Sequence, residues 1–394
     1  MRTLTLSKSG FNKLRSHQRE LKAADLDGSL KSIPPGEWCF LQADKSLWIS
    51  FVNPQVEDKY ASVHVLDEIK DPATFSPEKF ISEKIASACQ NRKRFRGYEN
   101  GSRVVYGFSD GLPGLIADHF TNAVLIQINT AGLDRYRELI GKELARILDV
   151  KAYFLDNPKY REKEFLPTFE TEPVPALTVK ENELSYELRA EVIQKVGFYY
   201  DHRENRMVLQ AILHRLKAPM QKGVDLFCYA GAWGMNALQG GVKTMDFVDQ
   251  GDFSEEVAKA LSLNSFPDRG RFFRQDVFRF MDEAIGQKKT YDVILCDPPA
   301  FAKSALQKEQ ALEGYSKLHR KVMKLAAPGS LLVFSSCTHY VGHDEFQKNI
   351  LDASAKEGKK LQLLHSGIQG WDHPIRSQSD RANYIKSYFY ILES

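Results

Sequence analysis

The sequence has no apolar run long enough to cross a bilayer; its longest, such as Ser330-Leu-Leu-Val-Phe334, have the length of strands. It also lacks a leader pattern. Met1-Arg-Thr-Leu-Thr-Leu-Ser-Lys8 carries charge but has neither an apolar core nor a small-residue cleavage site. The expected location is therefore cytoplasmic. Cysteine is scarce: residues 39, 89, 228, 296 and 337 make an odd number with no C-x-x-C pair. That excludes a zinc ribbon and argues against a disulfide framework, leaving reduced thiols in a reducing compartment. No metal is expected, since His339 and His343 stand four apart with no third ligand spaced for them. Large net charge is missing too, and +3 on 394 residues does not by itself establish a nucleic-acid partner.

What is present is ordinary globular material, 43% hydrophobic and 27% charged, enough for two or three domains. The distribution of charge says more than its sum. Residues 1–31 hold seven Lys/Arg against three acids. The stretch Asn91-Arg-Lys-Arg-Phe-Arg-Gly-Tyr98 interleaves Arg92, Arg94 and Arg96 with aromatics. Bases neutralise phosphates and aromatic faces stack on unpaired nucleobases, so this stretch reads equally as an RNA contact or a solvated helix end.

Three textures follow one another without an internal repeat. Residues 1–70 show short alternating strands at 38–41, 47–51 and 62–66, a small β-rich module. After a joint at Asp71–Pro77, residues 71–180 read as a central α+β domain with helices near 77–95 and 133–148. From 181 to 394, strands near 223–227, 243–249, 271–275, 291–296 and 330–335 alternate with helices, which predicts a mostly parallel α/β sheet of Rossmann type. The segments 361–364 and 384–392 are expected as an antiparallel pair at its edge, the aromatic last strand outermost.

Asp225-Leu-Phe-Cys-Tyr-Ala-Gly231 ends the first of those strands and opens a helix, where a nucleotide-like ligand lies in such sheets. Asp249 ends the second strand and is suited to ribose hydroxyls; Asp276 ends the third and can reach an adenine amino group; Asp297 ends the fourth. Each acid alone reads as a helix N-cap, but four in the cadence of one βα unit point to a cofactor site. Phe227 and Tyr229 stand where a dinucleotide fingerprint needs glycine, which disfavours a pyrophosphate. S-adenosylmethionine has no phosphate, and its sulfonium tolerates aromatic faces. Phe227, Tyr229, Gly231, Asp249, Asp276 and Asp297 are thus the expected cofactor contacts.

Gln194-Lys-Val-Gly-Phe-Tyr-Tyr-Asp-His-Arg-Glu-Asn-Arg206, Phe227-Cys-Tyr-Ala-Gly231, Asp297-Pro-Pro-Ala-Phe301 and Ser335-Ser-Cys337 together resemble the class I ribosomal-RNA cytosine-5 methyltransferases with an N-terminal PUA domain, of the large-subunit type. Ser109–Asp118 resembles that family's central domain and Asp372-His-Pro374 its C-terminal region; Val196 departs from the family's usual Thr. The resemblance implies an S-adenosylmethionine enzyme acting on RNA, with a PUA-like domain over 1–70. It makes Cys337 the nucleophile that adds to carbon 6 of cytosine. It makes Asp297 the group that hydrogen-bonds the N3 or amino edge. Pro298 and Phe301 are placed on the substrate side, with packing the alternative for Phe301. Lys195 and Arg203 are expected to hold the cofactor carboxylate or an RNA phosphate. Cys296 precedes Asp297 on an apolar strand and is expected to pack in the core.

Two rivals stay open. A base-nitrogen methyltransferase for guanine or adenine also uses an Asp-Pro-Pro motif but needs no thiol. A non-catalytic RNA-binding assembly factor needs neither. The expected partners are RNA and no membrane, with a homodimer left open.

Overall fold

The computed structural model describes residues 1–193, 197–302, 304–375 and 382–393. Among these the chain forms two compact units, Met1–Pro175 with Ile193–Phe198, and Ala176–Val192 with Tyr199–Ser394.

The first unit contains a six-stranded and a four-stranded sheet. In the former, Glu37–Ala43, Ser46–Val52 and Val63–Ile69 run antiparallel in sequence order. Alternation along these strands serves two buried faces. Cys39 and Leu41 join Leu14 in one core, while Trp38, Phe40, Ile49 and Phe51 enter a second. That second core also takes Ile81, Val105, Ile126 and Leu144, so both sheets of this unit share it. The helix Pro77–Lys93 starts where Ser76 accepts from the Lys79 N–H, with Pro77 fitting the first helical position. It buries Ile81, Ile85, Ala88, Cys89 and Arg92.

The second unit begins with the hairpin Leu177–Glu181 and Leu184–Leu188. Its sheet comprises β1 (Lys222–Leu226), β2 (Thr244–Asp249), β3 (Gly270–Arg274), β4 (Tyr291–Cys296), β5 (Ala326–Ser336), β6 (Leu361–Gly367) and β7 (Lys386–Leu392). The order is β3-β2-β1-β4-β5-β7-β6, parallel except for β7. Its helices are α1 (Arg203–Arg215), α2 (Ala232–Gln239), α3 (Ser254–Leu263), α4 (Val277–Gly286), α5 (Lys308–Leu325) and α6 (His343–Lys356). Strand order reverses between β1 and β4, which opens a crevice at the carboxyl ends of those strands.

One expectation is corrected. The aromatic last strand is not outermost: β7 lies between β5 and β6, and β6 is the edge. Tyr388 and Tyr390 enter the core that holds Phe334 and Phe346, while Phe389 approaches Trp233 at 6.2 Å. Alternating aromatics here fill two buried faces instead of blunting an edge. By contrast β6 leaves Leu363 and Leu364 exposed.

Candidate active site

The turn after β1 is built from strained backbone. Phe227 (φ 64°), Tyr229 (φ 49°) and Gly231 (φ 79°) all lie in the left-handed region. For the two aromatic residues this costs on the order of 1–3 kcal/mol each, so the surroundings must impose it. They do: Cys228 N donates to Val248 O at 3.1 Å and Gly231 N to Cys228 O at 2.8 Å. Tyr229 N donates to Asp249 Oδ2 at 3.0 Å. A Cβ on Gly231 would stand 3.0 Å from the Phe247 ring. The Tyr229 ring meets Tyr199 and Phe253 edge-on, at 5.2 and 4.8 Å, and its hydroxyl donates to Val192 O.

Acids collect at this end of the sheet. Asp249 Oδ1 accepts from Gly251 N at 2.9 Å, so each carboxylate oxygen already holds one backbone N–H. Burial nevertheless raises its pKa. Asp225, fully buried, accepts from Gly234 N at 2.8 Å. Burial pushes its carboxyl up to about 8, and the charges of Asp297 and Asp249 add to the shift. Asp297 Oδ2 accepts from the Trp233 indole N–H at 3.0 Å. His202 Nε2 stands 3.4 Å from the same oxygen, while Asn205 Nδ2 lies 3.1 Å from His202 Nδ1. With Asn205 donating to Nδ1, a neutral His202 carries its proton on Nε2, facing Asp297. Asp276 is different: exposed, it caps α4 by accepting from Arg279 N at 2.9 Å.

Cys337 follows β5 in a clamped turn. Ser335 Oγ is 2.9 Å from Ser387 Oγ, Ser336 Oγ is 2.9 Å from the Tyr315 hydroxyl, and Thr338 Oγ1 donates to Ala302 O at 3.1 Å. Of the five thiols only Cys337 is not buried. Burial pushes Cys39 and Cys89 up to about 11, and Cys228 and Cys296 well above the ordinary thiol range, so these four stay protonated. Tyr199 ties the constellation together. Burial raises its phenol, and the charges of Asp201, Cys337, Asp297 and Asp249 all raise it further. The strand-end acids and the thiol thus share one charge environment at Tyr199.

Other sequence-marked residues fall elsewhere. Arg92 is buried, its guanidinium bidentate on Asp110 at 2.6 and 2.7 Å, and so offers no phosphate contact; Arg94 and Arg96 are exposed. Arg203 is buried beside Glu181, which Arg206 also grips at 2.6 Å. Pro298 is buried and Pro299 exposed, and Phe301 stacks on Tyr315 at 4.6 Å. Lys195 lies outside the described residues. Cys296 lies in the core of the second unit. Among the described residues no group of three His, Cys, Asp or Glu is placed to hold a metal.

Sequence reasoning missed His202, Trp233 and Lys386. The first two are far from Asp297 in the chain, and only the fold brings them to it. Lys386 carried a legible signal, a lone cation opening an otherwise apolar aromatic strand.

Comparison with known proteins places the chain in a family. Residues 145–382 match the family model for S-adenosylmethionine-dependent methyltransferases. The chain is similar to the ribosomal RNA large subunit methyltransferase I of Shewanella amazonensis, at 30% identity over 78% of this chain and 79% of the relative. It is also similar to that of Pseudoalteromonas atlantica, at 29% identity over 78% and 79%. In fold it is similar to a SAM-dependent methyltransferase from Streptococcus mutans, with TM-score 0.75 and 18% identity over 99% of this chain and 100% of that one. A methyltransferase solved with SAH, SMU.776, gives TM-score 0.77 at 18% identity and the same coverage.

Proposed function

Since the chain belongs to the S-adenosylmethionine-dependent methyltransferase family, we propose that it methylates carbon 5 of a cytosine in large-subunit ribosomal RNA through Cys337. The observation that carries this reading is the single thiol that is not buried, set at a strand end in the charge environment of Tyr199 together with Asp297 and Asp249. The cofactor supplies an electrophilic methyl group. The donor set suits it: among the described residues no Lys or Arg pairs with Asp225, Asp249 or Asp297, so acceptors remain for hydroxyl donors and a sulfonium. Asp249 and the turn Phe227–Gly231 would hold the ribose and methionine portions.

Carbon 5 of cytosine is too weak a nucleophile to take a methyl group unaided. The Cys337 sulfur adds to carbon 6, which gives carbon 5 carbanion character; Asp297, oriented by the Trp233 indole N–H, holds the N3 and amino edge. After methyl transfer, carbon 5 loses its proton to a basic group or water, and the carbon 6–sulfur bond breaks to release the thiolate. The base-nitrogen alternative is weakened because one face of Phe301 is already covered by Tyr315. Residues 1–70, read as a PUA-like module, together with Arg94 and Arg96 would grip RNA phosphates in a cytoplasmic enzyme.

RNA containing 5-fluorocytosine tests this reading, because fluorine blocks the proton-loss step. The wild-type protein should be trapped on such RNA as a covalent adduct at Cys337. Cys337→Ala should form none and transfer no methyl, while still binding cofactor. Methylation of natural RNA by Cys337→Ala would refute the assignment.

A further inference from the structure

Lys386 opens β7 and is 3% exposed, an uncommon position for an ammonium. It pairs across the sheet with Ser336, the residue before Cys337. Its Nζ donates to the carbonyl of Thr338, the residue after Cys337. Register thus sets Lys386 opposite the residue before Cys337 and its amine reaches the residue after it, and no carboxylate among the described residues pairs with it.

We infer that Lys386 is a positioning residue that takes the Cys337 proton and holds the sulfur as a thiolate. This rests on the reading of Cys337 as nucleophile. In the step itself the S–H bond breaks and an N–H bond forms on Nζ, giving thiolate and ammonium with no change in net charge. When the carbon 6–sulfur bond later breaks, its electron pair returns to sulfur and the ammonium keeps it ionised. Burial supplies the drive in both directions. Burial lowers the Lys386 ammonium, a charge on Cys337 offsets part of that, and the balance stands at about 8, so each ion is disfavoured alone and favoured beside the other. The groups facing Lys386 are Cys337 and, from the start of α6, His343, whose pKa is lowered by burial and by Lys386 itself. Asp297 and Asp249, which act with Cys337 on Tyr199, work against a thiolate, and the ammonium is the charge that offsets them.

The test is alkylation of the full chain by iodoacetamide from about pH 5 to about pH 10, read at the Cys337 peptide by mass spectrometry. The wild-type rate should reach half its plateau below the ordinary thiol value of about 8.5. Lys386→Met should move that midpoint up by about one pH unit or more, roughly a tenfold slower reaction at pH 7. Lys386→Arg, a fixed cation, should keep the low midpoint. A wild-type midpoint at or above about 8.5 overturns the inference even if the methionine variant fails to fold. So does a folded, cofactor-binding Lys386→Met that follows the wild-type curve. No RNA is used, so a low midpoint with no fluorocytosine adduct would sink the cytosine-5 reading and leave the pairing standing.

Discussion

Arg92 and Asp110 in the first unit, and Asp225 and Asp249 in the second, are all charged groups taken out of water, yet they are handled in opposite ways. In the first unit three such buried charges meet their opposites. Arg92 is bidentate on Asp110, Arg103 on Asp118, and Arg161 reaches Asp134. Burial alone would raise Asp134, but Arg161 and Arg137 outweigh it and hold the carboxyl below its usual value. In the second unit Asp225 and Asp249 receive only backbone N–H groups, and both are pushed up. Closed pairs stabilise a fold and have nothing left to offer. Open acids are costly to the fold and retain acceptor capacity for a ligand.

The contrast can be broken most severely at Arg92. Arg92→Ala leaves Asp110 buried and unpaired, and should cost about 3–5 kcal/mol in urea unfolding. An Arg92→Ala protein of wild-type stability that has lost RNA affinity would instead make Arg92 a phosphate ligand. Asp225 gives the opposite sign. Its folded pKa of about 8 lies above the ordinary carboxyl value of 3.8, so the folded state keeps a proton the unfolded chain releases. The associated stability is present below the lower value and is lost as pH rises toward about 8. Asp225→Asn should therefore flatten the fall in stability across that window, a gain on the order of a few kcal/mol at its upper end. Equal slopes in thermal melts of both proteins would reject the shift. Next in size, Asp249→Ala should weaken S-adenosylmethionine binding by about 1–3 kcal/mol in calorimetry without unfolding the protein. Cys296→Ala should keep its activity and lose at most about 1 kcal/mol of packing; a dead variant would assign this thiol a chemical role. Smallest of all, Arg96→Ala should reduce the slope of log RNA affinity against log salt by about one. An unchanged slope removes Arg96 from the RNA contact.

The cadence of strand-end acids was legible because one βα unit has a nearly fixed length and ligands sit where strand order reverses. The same cadence did not separate Asp276, whose side chain is occupied as a helix cap, from Asp249, whose oxygens face the turn. Arg92 was misleading because a run of bases looks solvated. Helical phase held the correction: Ile81, Ile85, Ala88 and Arg92 follow at intervals of four, three and four, on the buried face. The place of β7 was not legible, since alternating aromatics suit an edge or a doubly covered strand equally. Which it is depends on partners supplied from α6 and from Trp233 in α2.

That place has a consequence for how the molecule assembles. β6 precedes β7 in the chain but reaches the sheet only through it, so the sheet must close out of sequence order. Pairing of β5 with β7 joins positions fifty to sixty residues apart, a loop-closure cost met before β6 gains any partner. The lysine beside Cys337 arrives with that strand, so the thiol gains its proton acceptor only once this long-range pairing has formed. Pulse-labelled amide exchange should accordingly show β6 protected no earlier than β7.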